Sequence, residues 1–130
     1  MTQYNKEDYI NYRLIKAKES LESAKYLTKG KFWNASINRL YYSCFYVINA
    51  LLLKNDISAK THRGVRSAFG ENFIRKNIIS QESGRTFNKL FEMRNRGDYN
   101  DLFEFDEKSV VELFKPVEKL INEVNNLLSD

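Results

Sequence analysis

Hydrophobic residues recur at steps of three and four along most of this chain, the spacing that places them on one face of an α-helix. The clearest example is the segment Asp8–Thr28. Its repeated apolar positions are Ile10, Leu14, Ala17, Leu21, Ala24 and Leu27. Mostly polar and charged residues lie between them. The pattern predicts a first amphipathic helix whose apolar face packs against other helices.

Four more segments show the helical spacing. The segment Lys31–Lys54 is apolar on several faces, which is typical of a helix in the middle of a bundle. The other three are predicted at Thr61–Lys76, Ser80–Arg96 and Asp106–Leu128. We expect Gly97 to end the fourth helix, Asp106 to cap the fifth and Pro116 to kink it.

The composition agrees with a helical fold. The chain has 130 residues with one Pro and five Gly, too few for the turns of a sandwich or barrel of short strands. A chain of this length fits one domain with a single core. Short connections favour antiparallel neighbours. We therefore predict one all-α domain over residues 1–130, an up-and-down bundle of four to five helices.

The cysteine content and the apolar stretches of the chain predict its cellular location. The single cysteine cannot form an internal disulfide, and its apolar neighbours predict a buried thiol rather than a nucleophile. The first residues lack the apolar stretch of a signal peptide. The longest apolar run ends at Lys54, short of the roughly 18–20 residues that span a membrane. We expect a cytoplasmic protein without a transmembrane segment.

Charge is distributed unevenly along the chain. Residues 60–96 contain nine Lys or Arg and three Glu, whereas residues 98–130 contain three Lys and nine acids. A basic middle and an acidic tail can form an anion-binding surface beside a separate flank. They can also be two halves that neutralise each other on folding. The sequence leaves both interpretations open.

Arg94 is the most unusual candidate for chemistry. It follows Phe91 and Leu90 by three and four residues, so it extends a face that is otherwise apolar. A guanidinium in the interior needs a carboxylate, carbonyl or phosphate partner. One interpretation is a structural pair with Asp98 or a cap on carbonyls near Gly97. The other is an anion site at the end of the fourth helix.

Further polar candidates lie elsewhere in the chain. Asn38, Arg39 and Tyr42 interrupt the largely apolar second helix, and tyrosines there are more often core residues than site residues.

His62 is the only histidine and the only side chain whose ordinary pKa suits proton transfer near neutral pH. A lone histidine at a helix start is usually a cap or a surface group. Neither a multi-histidine metal centre nor a paired-cysteine metal site is present, and we expect no cofactor.

Two stretches of the chain resemble the HEPN domain, a family found in higher eukaryotes and prokaryotes. They are NRLYYSCFYVINALL in the second predicted helix and RNRGDY at the end of the fourth. The resemblance covers about residues 10–125. It implies a bundle of about five helices, a homodimer, and a neighbouring gene for a minimal nucleotidyltransferase in a toxin–antitoxin arrangement.

The resemblance also implies a candidate site. Many members of the family are ribonucleases that need no metal and carry an arginine, a polar residue and then a histidine four to six positions after the arginine. Arg94 and Asn95 match the start of this motif, but Tyr99 stands where a histidine could follow. A tyrosine with a pKa near 10 is a poor base at neutral pH. RNA cleavage would therefore need His62 or a perturbed Tyr99.

Three functions follow as hypotheses. The first is an RNA-directed toxin in which the catalytic set is Arg94, His62 and Tyr99 and the substrate-binding set is Asn38, Arg39, Tyr42, Lys60, Arg63, Asn95 and Asp98. The second is a non-catalytic module that binds RNA, a nucleotide or a partner nucleotidyltransferase, or that offers a tyrosine for nucleotide transfer. The third is a dimerisation scaffold in which Arg94 and Asp98 only hold the bundle together.

Overall fold

The computed structural model of the protein describes residues 3–129, which form helices and no strand. The helices are α1 (Lys6–Lys29), α2 (Trp33–Lys54), α3 (His62–Phe69), α4 (Gln81–Tyr99), α5 (Glu107–Val111) and α6 (Phe114–Leu128). A π-helical turn, Gly70–Ile74, continues α3. The predicted all-α bundle is confirmed. Its four long helices are α1, α2, α4 and α6, and α3 with its turn is the shorter fifth.

Helix α2 lies at the centre of the bundle, as its apolar faces predict. It packs against α1, α3, α4, α5 and α6. Its residues Ile37, Leu40 and Ile48 are fully buried, and so is the side chain of Cys44. Burying a large aliphatic side chain stabilises a fold by roughly 1.5–3 kcal/mol. The site described below is built around this rigid central helix.

Side-chain caps fix where two of the helices begin. Thr61 precedes α3, and its hydroxyl accepts a hydrogen bond from the backbone N–H of Gly64 at 2.9 Å. This cap makes His62 the first residue of α3. Asp106 caps α5 in the same way, since its carboxylate accepts from Ser109 N at 2.8 Å. The predicted cap at Asp106 is therefore confirmed.

The prediction that Gly97 ends the fourth helix is wrong. Helix α4 continues through Gly97 to Tyr99, and no described glycine has a positive φ. The reason for a glycine here is space, because a Cβ built on Gly97 would lie 3.0 Å from Cε2 of Phe105. The glycine lets the segment after α4 pack closely against the helix, and this keeps Asp98 and Tyr99 on the last helical turn.

The sequence predicts one helix kinked at Pro116, whereas the structure has a break between two helices just before this proline. The predicted helix Asp106–Leu128 is divided into α5 and α6, with Glu112 and Leu113 between them. A proline has no N–H to donate to the carbonyl four residues earlier, and its ring crowds that carbonyl. The carbonyl in question belongs to Glu112, the first residue of the break.

Asn34 anchors the segment that joins α4 to α5. Its side-chain amide donates to Phe103 O at 2.8 Å, and its carbonyl oxygen accepts from Phe105 N at 2.8 Å. Two bonds from one side chain hold this connection against the start of α2. Among residues 3–129, no helix is both long and apolar enough to cross a membrane.

Candidate functional site

Arg94 reaches from α4 towards the centre of α2, and only 12% of its side chain is exposed. Nη2 donates to Tyr42 Oη at 3.1 Å, and Nη1 donates to Asn95 Oδ1 at 3.2 Å. Nε lies 3.1 Å from Asp98 Oδ2. This last contact is an ion pair without hydrogen-bond geometry, because the buried Nε–H has no acceptor along its direction among the described residues. The contact agrees with the structural interpretation of Arg94, one of those that the sequence leaves open.

A second set of polar contacts joins Asp98 to α2. Asn38 Nδ2 donates to Asp98 Oδ2 at 3.1 Å. The guanidinium of Arg39 donates to Asn38 Oδ1 from Nε at 3.0 Å and from Nη2 at 2.8 Å. Arg39 also lies over the ring of Tyr42, with Cζ 4.9 Å from the ring centroid. The structure therefore gathers two arginines, two amides and one carboxylate where α2 and α4 meet.

His62 enters the same region from the start of α3. Its Nδ1 lies 2.8 Å from Tyr41 Oη, and its ring stacks on Phe45 with centroids 4.5 Å apart. Burial lowers the pKa of His62 below its ordinary value, and the positive charge of Arg94 lowers it further. Because pH 7 lies above the ordinary value of 6.5 and the pKa of His62 is lower still, the neutral imidazole predominates at pH 7. Its Nε2 makes no hydrogen bond with any residue between 3 and 129.

Tyr41 is the element that fixes His62, and its own environment keeps it neutral. Its side chain is fully buried, and burial raises the pKa of its hydroxyl well above the ordinary value. A neutral phenol can accept a hydrogen bond from Nδ1–H of His62. In that tautomer Nε2 of His62 carries the free lone pair.

Arg94 and His62 share the same two aromatic rings. The Cζ atom of Arg94 lies 5.4 Å and 5.5 Å from the ring centroids of Tyr41 and Tyr42. The ring of His62 lies 5.8 Å and 5.9 Å from the same two rings, centroid to centroid. His62 and Arg94 are 32 positions apart in sequence, as their numbers show. They nevertheless contact the same pair of adjacent tyrosines.

Tyr99 lies at the edge of this site. It is the last residue of α4 and is 75% exposed. Its ring centroid lies 5.9 Å from Cζ of Arg94. The structure thus places the tyrosine beside the arginine and leaves its side chain open to solvent.

A groove between α3 and α4 lies next to Asn95. Its volume is about 430 Å³, and its lining includes Arg63, Arg66 and Asn95. Arg66 was not among the sequence candidates, and its Cζ lies 4.6 Å from the ring centroid of Phe91. Lys60 is exposed but is not part of this lining. Of the predicted binding residues, Arg63 and Asn95 lie in this lining.

Tyr41 is the other residue that the sequence did not single out. It falls on the apolar stripe of α2, so its spacing is that of a core residue, and its burial agrees with that. Only the fold shows that its hydroxyl meets His62. In the described range, no group of three or more His, Cys, Asp or Glu could hold a metal ion.

Comparisons with known proteins agree on one family. The family model described as HEPN domain matches residues 10–127. A "UPF0332 protein" of Thermotoga maritima is 36% identical over 125 residues, which cover 96% of this chain and 95% of the relative. "Putative toxin MJ0142" of Methanocaldococcus jannaschii is 31% identical over 113 residues, covering 87% of this chain and 77% of the relative. A second M. jannaschii relative, "Putative toxin MJ0605", is 35% identical over 83 residues, which cover 64% of this chain and 62% of the relative.

Proposed function

The chain belongs to the HEPN domain family, and from this premise we propose that it is a toxin-type endoribonuclease that cleaves RNA without a metal ion. Two relatives carry the word toxin in their names, and this supports the toxin part of the proposal. The sequence lacks the histidine that would follow Arg94 in the family's ribonuclease motif. The proposal therefore depends on finding another base.

The observation that carries the proposal is the meeting of His62 with Arg94 across Tyr41 and Tyr42. His62 comes from α3 and not from the end of α4, yet it lies on the same tyrosine pair as Arg94. A general base must reach the proton it accepts directly or through one water molecule. The position of His62 supports its use in place of the missing histidine.

The proposed reaction uses the substrate's own 2′-hydroxyl as the nucleophile. His62 Nε2 accepts the proton of that hydroxyl, and the oxygen attacks the adjacent phosphorus. The bond from phosphorus to the 5′-oxygen breaks, and that oxygen takes a proton from water. The hydroxide that this leaves takes the proton held on His62, which is then neutral again. The products are a 2′,3′-cyclic phosphate and a 5′-hydroxyl end. Arg94 stabilises the negative charge that builds on the phosphate oxygens in the transition state.

The contacts around Arg94 suit this role. Tyr42, Asn95 and Asp98 fix the guanidinium from three sides, so it does not have to be ordered when substrate arrives. Asp98 offsets part of its charge, and Arg39 adds another positive charge nearby. An anionic phosphate is attracted to a site with two guanidinium groups and one carboxylate.

The proposal is tested by incubating the purified protein with total cellular RNA in EDTA and mapping new RNA ends by sequencing. The wild type should produce discrete ends. Arg94→Ala should lose them, and His62→Ala should reduce the rate by about 10²–10⁴-fold, the usual contribution of a general base. Lys18→Gln on α1 is a control with an exposed cation away from the site. Wild-type RNA profiles identical to those in buffer alone would contradict the proposal.

A second candidate function rests on the exposure of Tyr99. A tyrosine that is 75% exposed beside an arginine can accept a nucleotidyl group from a partner nucleotidyltransferase. Here the module would not cleave RNA, and Arg94 would bind the phosphate of the incoming nucleotide. The phenol oxygen would attack the α-phosphorus of a nucleoside triphosphate and lose its proton to water. The bond from that phosphorus to the bridging oxygen would break, and pyrophosphate would leave.

This second function is tested by measuring the intact mass of the protein after co-expression with a nucleotidyltransferase encoded beside it. Mass increments of whole nucleotidyl groups on Tyr99, absent from Tyr99→Phe, would support it. Tyr26→Phe is a control, because Tyr26 is 80% exposed and lies on α1. Unmodified protein with active RNA cleavage would favour the ribonuclease instead.

A further inference from the structure

The groove beside Asn95 does not end at Arg66. A second and smaller concavity, of about 110 Å³, also has Arg66 in its lining, together with Arg85 and Asn88, among others. Because Arg66 lines both concavities, they are neighbours along α3 and α4. The surface extends from the candidate site towards the first turns of α4. We call it the α3–α4 groove.

Three arginines line the groove, and each lacks an acidic partner. Arg63, Arg66 and Arg85 make no ion pair with any residue in the described part of the chain. Neighbouring cations on other faces do pair, as Lys89 does with Glu112 and Lys119 with Glu82. The only acid in the lining of either concavity is Glu92. The groove therefore carries a net positive charge that the described residues do not neutralise.

The polar residues of α4 in the groove form a regular stripe. Arg85, Asn88, Glu92 and Asn95 follow one another at steps of three and four, so they share one face of the helix. From Arg85 to Asn95 the helix rises about 15 Å, at 1.5 Å per residue. A stacked nucleic-acid strand advances about 3.4 Å per nucleotide, so this length matches roughly four nucleotides.

We propose that the α3–α4 groove binds single-stranded RNA of about four nucleotides and guides it to Arg94. Arg63, Arg66 and Arg85 contact successive phosphates, and the amides of Asn88 and Asn95 reach sugar and base edges. The two concavities are small, at about 430 and 110 Å³, so we expect them to accommodate groups of one strand and not a duplex. The inference rests on the proposed ribonuclease function and adds to it the form of the substrate and its path.

The groove is tested by binding, separately from cleavage. The probe is a fluorescein-labelled single-stranded RNA of roughly 12 nucleotides, within the usual range of single-strand sites. All its 2′-hydroxyls are methylated, so that it cannot be cut by attack of a 2′-oxygen. Fluorescence anisotropy gives Kd for wild type, for Arg63→Gln/Arg85→Gln, and for the matched control Lys18→Gln/Lys108→Gln. All four substituted side chains are exposed, and both doubles remove two positive charges.

The groove variant should bind at least ten-fold more weakly at low salt, and the control should bind like wild type. Each phosphate contact on a single strand contributes about 0.7 to the slope of log K against log salt, so the groove variant should lose about 1.4 from that slope. Duplex RNA of the same sequence should bind at least ten-fold more weakly than the single strand. Equal losses in the two doubles, or equal binding of the duplex, would overturn the inference.

Cleavage separates this inference from the proposed function. With an unmethylated substrate, the groove variant should raise KM with kcat nearly unchanged, whereas His62→Ala should lower kcat. If neither the wild type nor any variant cleaves RNA but the groove variant still weakens binding selectively, RNA binding by the groove is supported and the ribonuclease function is wrong. If the wild type cleaves RNA and the groove variant changes neither Kd nor KM, the ribonuclease function is supported and RNA binding by the groove is wrong.

Discussion

The hydroxyl of Tyr41 lies 2.8 Å from Nδ1 of His62, so a fully buried residue of the central helix holds the only histidine of the chain. The contact explains how a histidine at the start of a short helix can be oriented. The cap at Thr61 fixes the backbone of α3, and Tyr41 with Phe45 fixes the ring. In the tautomer with Nδ1–H, Nε2 keeps the lone pair that the proposed reaction uses.

The pKa of His62 can be measured without ambiguity, because one histidine gives one imidazole signal in an NMR titration. Burial and the charge of Arg94 both lower this pKa, so we expect a midpoint below 6.5. Arg94→Ala should raise the midpoint part of the way back, and Arg94→Lys, which keeps the charge, should raise it less. A midpoint at or above 6.5 in the wild type would contradict the placement of His62.

The same shift predicts how stability depends on pH. The pKa of His62 is lower in the folded protein than in the unfolded chain, so the unfolded chain binds the proton first as pH falls. The contribution of His62 to folding is complete above pH 6.5 and is lost as pH falls through the lowered pKa. Urea unfolding at a series of pH values should show this loss in the wild type and not in His62→Gln.

Glu123 of α6 is expected to contribute to stability by binding the start of α4, where Ser80 is the N-cap. Its carboxylate accepts from Ser80 N at 3.1 Å, from the Ser80 hydroxyl at 3.0 Å and from the Ser83 hydroxyl. Glu123→Gln weakens these charge-assisted bonds, so we expect a loss of about 1–3 kcal/mol in the free energy of unfolding. Urea denaturation measures it. Glu118→Gln is the control, since Glu118 makes only a long, half-exposed pair with Lys25, and its loss should stay below about 1 kcal/mol.

Glu123 should also make the free energy of unfolding fall at acid pH. Burial alone would raise its pKa, but the bonds from Ser83 and Ser80 outweigh burial and lower the pKa below its ordinary value. Its contribution is therefore present above pH 4.5 and is lost as pH falls through the lowered pKa. A pH series of unfolding midpoints in which Glu123→Gln shows the same fall at acid pH as the wild type would contradict this assignment.

Substitution by alanine should change the melting temperature in opposite directions at two glycines that have helical conformation. A Cβ on Gly97 would lie 3.0 Å from the Phe105 ring, while a Cβ on Gly70 has no neighbouring atom within 4 Å. Alanine favours a helix by about 1 kcal/mol over glycine. We expect Gly70→Ala to raise the melting temperature. Gly97→Ala should lower it, because the well-packed ring of Phe105 must move. An increase of equal size in both variants would show that the contact at Gly97 is not tight.

Cys44 should be chemically inert in the folded protein. Its side chain is fully buried, and burial raises the pKa of the thiol to about 12. The thiolate is the reactive form, so a thiol reagent such as DTNB should not react at pH 8 until the protein unfolds. Rapid reaction of the native protein, compared with a sample in urea, would contradict the burial of Cys44.

The sequence predicted the helices well because their apolar spacing is strong. Its errors lie where a contact distant in sequence decides the outcome. The sequence pattern predicts that Gly97 ends a helix. The structure instead explains the glycine by the close approach of the Phe105 ring and not by the local backbone. The position of the break before Pro116 was predictable. Proline has no N–H, so the carbonyl four residues earlier, that of Glu112, loses its helical hydrogen bond. Whether a helix bends or divides at such a point depends on packing that spacing does not show.

The candidate site was only partly predictable for the same reason. Arg94 and Asp98 are four residues apart on one helix, so their pairing follows from spacing. The partner of His62 does not follow, since Tyr41 lies 21 positions earlier on another helix and looks like a core residue. Arg66 was one of nine cations in the basic segment, and nothing local distinguishes it. Its place in the groove depends on its contact with Phe91 of α4, which lies 25 positions later in the chain because the two residues are numbered 66 and 91.

The most direct test of the ribonuclease account is the chemical identity of the RNA ends made in EDTA. We predict that the wild type leaves 2′,3′-cyclic phosphate and 5′-hydroxyl ends at discrete positions. His62→Ala and Arg94→Ala should make far fewer of them, although both variants should remain folded by circular dichroism. Ends that carry 3′-hydroxyl and 5′-phosphate groups, or cyclic-phosphate ends that persist at the wild-type rate in His62→Ala, would contradict the account.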